Sequence, residues 1–391
     1  MKTLYITSKP AYPKIDGGCV ASANFLENLL KVTSEIKYLS IATTKHPFNL
    51  DSFPIHWIDS LKPEAVLIET AVRPKEAIKY LFNKKSYNID RFYNRKMSDK
   101  IIRTIDSQRF ETIILDGLYT TPYIYEIKKS FKGKVLVRTH NVEFKIWEGL
   151  AKNESNPIKK KYLSGLAKDL KKYEIGTLNK VDGLMTISQE DLNDFSALGI
   201  STPKSNITIT TDIVEQGHDY KRSSIFHLGA MNWSPNIEAV DEVIQLMSEL
   251  RKANTDLEFH IAGVDSESLY TTNRDQGIVV EGFVQDLEEF VSEMGILVSP
   301  IQSGSGIRVK ILEMMALGIP IITTDLGAQG LLNFDGVRIA NTKREILSAV
   351  YELVNSENKR QELGLEAKRY VNLHHNPKKV SAQLIEFIKS I

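Results

Sequence analysis

The stretch with the clearest chemistry is Ser303-Gly304-Ser305-Gly306-Ile307-Arg308-Val309-Lys310-Ile311-Leu312-Glu313. A glycine-rich turn follows an apolar run and leads into a helical pattern that reaches Leu317, with Gly318 as its C-cap. Free N–H groups at such a helix start, with Arg308 and Lys310 in the first turn, suit a diphosphate. Two cations at a helix N-terminus oppose the macrodipole, so a purely structural role explains them poorly. Glu313 lies two turns beyond Gly306 on the same face, where it can bond a ribose or pair with Lys310 at i,i+3.

Two further places carry polar groups where an α/β sheet binds ligands. His140, within Arg138-Thr139-His140-Asn141-Val142-Glu143, stands just past a strand end. There it can meet a substrate near neutral pH, or join Asn141 in closing the turn and capping the next segment. Asp16-Gly17-Gly18 follows the first strand and opens a helix near Val20, so its amides can approach an anion or a sugar hydroxyl, or simply form a tight turn. It is neither G-x-G-x-x-G nor a Walker loop.

These positions depend on strands that alternate with amphipathic helices along the chain, the mark of parallel α/β layers. The expected strands are 3–8, 36–42, 112–117, 134–139 and 183–188, then 225–231, 257–263, 278–283, 295–300 and 319–324. Helical patterns run over 18–31, 94–107 and 158–179, and three more close the chain near 343–355, 357–371 and 378–390. Residues 197–224 lack helical periodicity and read as an inter-domain passage. The expectation is an α/β protein of two doubly wound Rossmann-like domains facing a central cleft, 1–200 and 201–375, with 376–391 as a helix returning to the N-domain.

Composition narrows the class. With 42% apolar and 25% charged residues among 391, the chain can bury a large core and is neither disordered nor fibrous. One cysteine, Cys19, excludes an internal disulfide and a zinc–thiolate cluster. The N-terminus lacks a secretory pattern and no apolar run is long enough to span a bilayer, so a cytoplasmic location is expected. The net charge of +1 hides an asymmetry: residues 1–200 hold 32 Lys and Arg against 23 Asp and Glu, a surplus of nine. That surplus suits an anionic partner such as a membrane surface, nucleic acid or a phosphorylated substrate.

"GSGIRVKILEMMALGIPIITT" resembles the donor-site motif of the family 4 glycosyltransferases, which have the GT-B fold. "RTHNVE" with Trp147 close behind, "GAMNWSPNIEAV" and "SYNIDRF" are similar to a bacterial branch of that family. The resemblance implies a retaining transferase that moves a sugar from a nucleotide-diphosphate donor to a glycan or lipid-linked acceptor, with no nucleic acid partner and no metal or other cofactor. Cell-surface polysaccharide or glycolipid assembly, on the inner face of the membrane, is the expected setting. It puts His140 against the transferred sugar, Glu313 on the ribose, residues 304–308 on the diphosphate and Val284 by the base. Gly229 and Asn232 join Gly304, Ser305, Gly306, Ile307, Arg308 and Lys310 on the donor side, and Asp16, Gly17, Gly18 and Asn141 lie on the acceptor side. His140 and Glu313 are the expected catalytic residues.

The chain departs from the family in two places. Ser305 replaces a second glutamate eight positions before Glu313, and Gly229-Ala230-Met231-Asn232 lacks the usual Arg and Lys, which leaves Arg308 and Lys310 as replacements. No Asp-x-Asp is present; Asp265-Ser266-Glu267 reads as loop surface and His374-His375 as packing. Trp147 and Trp233 also read as packing. Without a placed carboxylate nucleophile, front-face attack assisted by the leaving phosphate is favoured. A nucleotide-sugar 2-epimerase and a non-catalytic sugar-binding protein are the rival functions.

Overall fold

The computed structural model describes residues 1–71, 86–211, 218–303 and 306–391. The chain forms two compact units, Met1–Ile209 with Val380–Ile391, and Thr210–Lys379.

The first unit is built on β1 (Lys2–Thr7), β2 (Glu35–Ala42), β3 (Glu64–Leu67), β4 (Thr112–Asp116), β5 (Lys134–Thr139), β6 (Gly183–Thr186) and β7 (Lys204–Asn206). All pair in parallel, in the order β3-β2-β1-β4-β5-β6-β7. The central strands β4 and β5 are buried almost throughout, as a sheet covered on both faces requires, which is why they read as continuous apolar runs. Strand order reverses between β1 and β4, and the register sets Thr7 beside Asp116 and Asp116 beside Arg138. Such a switch point opens a crevice at the carboxyl ends of the strands.

Helix Gly17–Val32 and the closing helix Pro377–Ser390 cover one face of this sheet. Val380, Leu384 and Phe387, spaced i, i+4, i+7, bury against a cluster with Tyr5, Phe25 and Leu136. Ser381 donates a hydrogen bond to the Asn28 carboxamide at 3.2 Å. The C-terminal helix therefore belongs to the first unit. The boundary falls at Ile209, not at 200, because β7 adds an edge strand inside the stretch that lacks helical periodicity.

The second unit holds β8 (Ile225–Leu228), β9 (Phe259–Ala262), β10 (Ile278–Gly282), β11 (Ile296–Ser299), β12 (Ile321–Thr323) and β13 (Arg338–Ile339), parallel and ordered β10-β9-β8-β11-β12-β13. Its switch point lies between β8 and β11. Helix Ser234–Ala253 follows β8 and helix Val309–Leu317 follows the loop after β11, so both motifs read from sequence open at that point.

Candidate functional site

At the first unit's switch point a buried charge network underlies His140. Asp116, at the end of β4, is fully buried and accepts hydrogen bonds from Tyr5 at 2.6 Å and Ser22 at 2.5 Å through Oδ2. Its Oδ1 lies 2.8 Å from Arg138 Nη1 and 2.8 Å from His140 Nε2. Burial opposes ionisation of Asp116, but His140, Arg138 and the Ser22 hydroxyl outweigh it and hold the carboxyl well below the usual range. Arg138 is buried too, with its guanidinium over the Phe25 ring and Nη2 on the Ala21 carbonyl.

The segment after His140 is held from a distance. Helix Glu143–Asn153 has no side-chain cap of its own; the buried Glu174 accepts from the amides of Glu143 and Phe144, each at 3.1 Å. Capping by His140 or Asn141 is thereby corrected: the cap is a tertiary carboxylate, while the Asn141 amide bonds the Glu143 side chain. Burial first, then the neighbouring Glu143, pushes Glu174 up to about 8. Burial likewise raises Glu143, whose carboxylate accepts from Tyr119, and takes Asp191 to about 6.

Asp16 is the N-cap of helix Gly17–Val32 and accepts from Cys19 N, Lys9 Nζ and His46 Nε2 at 2.8–2.9 Å. Burial opposes its ionisation, yet His46 and Lys9 hold it well below the carboxylate range. Gly17 and Gly18 are the first helical residues, and a Cβ on Gly18 would stand 2.4 Å from Lys9 Nζ. Gly18 thus makes room for the Lys9 ammonium at the helix start. Asp16, Cys19 and His46 bring a carboxylate oxygen, a thiol and a ring nitrogen within 4.8 Å, but the Lys9 ammonium already sits on that carboxylate.

In the second unit helix Val309–Leu317 starts one residue later than expected for Arg308, which is its N-cap; Gly318 ends it in the left-handed conformation. No side chain caps this start, so the first amides are open to an acceptor. Arg308 is buried, bonded to the carbonyls of Gly306 and Ser303, and its guanidinium lies 5.5 Å from the Trp233 ring centroid. Trp233, read as packing, is 39% exposed and pairs with that cation.

Lys310 points the other way, as the rotation of about 100° per helical residue requires. Its ammonium donates to Leu228 O at 3.0 Å and Asn236 Oδ1 at 2.8 Å, and lies 3.2 Å from His227 Nε2. His227 Nδ1 faces the Val298 carbonyl, which can only accept, so Nδ1 carries the proton and Nε2 accepts from Lys310. All three acceptors are neutral, and the i,i+3 pairing of Lys310 with Glu313 gives way to them. Burial, then the Arg308 charge, pushes Lys310 down to about 7; burial takes Arg308 to about 10. Buried Arg308 and half-buried Lys310 thus stand together at a helix start whose N-cap side chain makes no capping bond.

The remaining positions fall around that cluster. Gly229 approaches Asn236 so closely that a Cβ would stand 2.5 Å from its amide nitrogen. Asn232 is exposed, and the buried Asn236, four residues on, makes the contacts in this loop. Ile307 packs on Gly330, Gly306 has φ +80°, and Val284 is half-buried in the loop after β10. Glu313 is half-buried on the same helix. Gly304 and Ser305 lie outside the described residues. The functional residues missing from the sequence reading are Asp116, Glu174, Asn236 and His227; of these only Asp116, an acid ending a buried strand before a glycine, carries a local signal.

Residues 222–356 match the family model described as glycosyl transferases group 1. A Klebsiella pneumoniae protein described as an uncharacterized 44.6 kDa protein in the cps region is 23% identical over 288 residues, covering 69% of this chain and 73% of that protein. Among solved structures, sucrose-phosphate synthase from Thermosynechococcus elongatus is similar with a TM-score of 0.67 at 11% identity, over 100% of this chain and 99% of its own. Anabaena HepE in complex with UDP is similar with a TM-score of 0.67 at 12% identity, over the whole of both chains. The chain therefore has the two-unit GT-B fold, and residues 222–356 of its second unit are similar in sequence to the glycosyl transferases group 1 model.

Proposed function

We propose that the chain is a retaining glycosyltransferase that takes a sugar from a nucleoside diphosphate donor held by its second unit and delivers it to a glycan or lipid-linked acceptor. The observation that carries this reading is the pair of cations, buried Arg308 and half-buried Lys310, at a helix start without a side-chain cap in a stretch that matches a glycosyltransferase family model. A diphosphate is the kind of anion that suits two such cations, and Glu313 on the same helix takes the ribose. HepE, a neighbour in fold, has been solved with UDP and with UDP-glucose, in keeping with such a donor.

In the transfer step the bond from the sugar's anomeric carbon to the diphosphate oxygen breaks, and a bond to the acceptor oxygen forms on the same face. The acceptor's proton passes to the leaving phosphate. Arg308, Lys310 and the helix amides meet the charge that grows on that leaving group. His140, in the first unit, contacts the transferred sugar, and Asp16, Gly17, Gly18 and Asn141 serve the acceptor side. We take the reaction to need no divalent metal, so transfer persists in excess chelator. The basic first unit suits an anionic membrane surface on the cytoplasmic side, where polysaccharide or glycolipid acceptors are assembled.

Calorimetry of nucleoside diphosphate binding tests the donor site. Arg308→Ala, Lys310→Ala and Glu313→Ala are expected to weaken affinity about ten- to hundredfold where a charge-assisted contact is lost. If folded variants all bind as the wild type does, the donor site is elsewhere. Proton NMR of the early product should show the donor's anomeric configuration. Release of an epimerised donor without transfer would make the chain an epimerase, and binding without turnover a sugar-binding protein.

A further inference from the structure

We propose that Asp116 and Arg138 are positioning residues that hold His140 as the Nε2–H tautomer and so present a bare Nδ1 to a hydroxyl of the bound sugar. Nothing in the sequence links these two residues to each other; the register of β4 and β5 does so by setting Asp116 beside Arg138, two residues before His140.

The donors and acceptors around His140 Nε2 set its tautomer. Ionised Asp116 can only accept, and Arg138 can only donate. Tyr5 and Ser22 occupy Oδ2, which leaves Oδ1 for the two nitrogens at 2.8 Å, Arg138 Nη1 and His140 Nε2. A protonated Nε2 gives that oxygen a charge-assisted bond. In the rival arrangement Arg138 Nη1, also 2.8 Å from Nε2, would donate to a bare Nε2 and leave the proton on Nδ1. That would turn an imidazole lone pair toward a carboxylate oxygen at 2.8 Å inside a buried network. In the proposed tautomer the close approach is instead between two donors, Nε2–H and Arg138 Nη1, which share Asp116 Oδ1 as their acceptor.

Arg138 has a separate task. A carboxylate this deep must be paired to stay ionised, and the guanidinium does so while fixed by Phe25 and the Ala21 carbonyl. The pair is therefore rigid as well as neutral overall. His140 is partly exposed, and its Nδ1 makes no hydrogen bond to a described residue, so that nitrogen is the one left for a ligand. An acceptor atom held there fixes a sugar hydroxyl without taking its proton.

This inference deepens the reading of His140 as the residue that meets the transferred sugar. Its first test needs no substrate, so it succeeds or fails separately from glycosyl transfer. In the full chain labelled with 15N-histidine, the two ring nitrogens of a neutral imidazole resonate far apart according to which carries the proton. His140→Ala assigns the signals. The expected spectrum has Nε2 protonated and Nδ1 bare; a proton on Nδ1 ends the proposal. In Asp116→Asn the carboxamide can donate to Nε2, so the tautomer should invert. Turnover should then fall about ten- to hundredfold with nucleoside diphosphate affinity kept within twofold. A folded Asp116→Asn variant with the wild-type tautomer and wild-type kcat overturns the positioning role.

Discussion

Lys310 and Asn236, 74 residues apart, meet with the ammonium 2.8 Å from the carboxamide oxygen, and this bond ties the helix after β8 to the helix after β11. The same carboxamide donates from Nδ2 to Ala230 O at 2.9 Å, so Asn236 holds both the cation and the turn beside it. Asn236→Ala should cost about 0.5–1.5 kcal/mol for each of the two hydrogen bonds it removes, with Lys310 keeping its bond to Leu228 O. Asn236→Asp should separate structure from ligand binding. It gives Lys310 an ionic partner, so denaturant unfolding should show less loss than for Asn236→Ala, while the added negative charge weakens nucleoside diphosphate binding further. Equal affinities for the two variants would argue against an anion at this point.

Lys310 also predicts a pH dependence. With its pKa pushed down to about 7, the ammonium loses its proton in the unliganded protein as pH rises past neutrality. A bound diphosphate favours the charged form, so binding above that pH must take up a proton. Affinity is expected to fall from pH 7 to pH 9 by up to about tenfold per unit, and Lys310→Met should flatten the profile. Calorimetry in buffers of different ionisation enthalpy reads the proton uptake directly.

Glu174 makes a prediction about stability alone. Its folded pKa of about 8 lies above the ordinary value of 4.5, so the folded state holds a proton that the unfolded chain releases. The stabilisation is full below about pH 4.5 and is lost as pH rises through about 8. Glu174→Gln should therefore show a smaller fall in denaturation midpoint across that window than the wild type, though it starts lower because one of the two amide caps is lost. A wild-type slope unchanged by the substitution would assign the pH dependence to other groups.

Part of the basic surplus of the first half, eight lysines against four acids, lies in the hairpin of helices Glu143–Asn153 and Pro157–Leu178. A groove of about 480 Å³ between them is lined by Lys152, Lys160, Lys168 and Lys171 with one carboxylate, Glu148. Ile158 and Leu150 stand exposed on the same hairpin. Flotation with anionic vesicles is expected at low salt and should weaken at high salt, since each lysine near such a surface contributes about 1 kcal/mol. Replacing Lys152, Lys160 and Lys168 by Gln should abolish it; equal partitioning onto neutral vesicles would leave the lysines as solvated surface.

The sequence by itself determined the central strands of both sheets, the three closing helices, the helix start at 308–310 and the place of His140 past a strand end. These depend on apolar runs, helical spacing and glycine at a C-cap, all of which act within a few residues. It did not reveal β3, β7 and β13, four, three and two residues long, because so short an edge strand carries no periodicity. Tertiary structure alone decided the partners: Asp116 under His140 across 24 residues, Glu174 on the amides of Glu143 and Phe144 across about 30, His227 on Lys310 across 83. Local propensity has no reach over such separations. Strand order and register choose which carboxyl ends stand side by side at each switch point, and that choice turned isolated polar residues into satisfied networks.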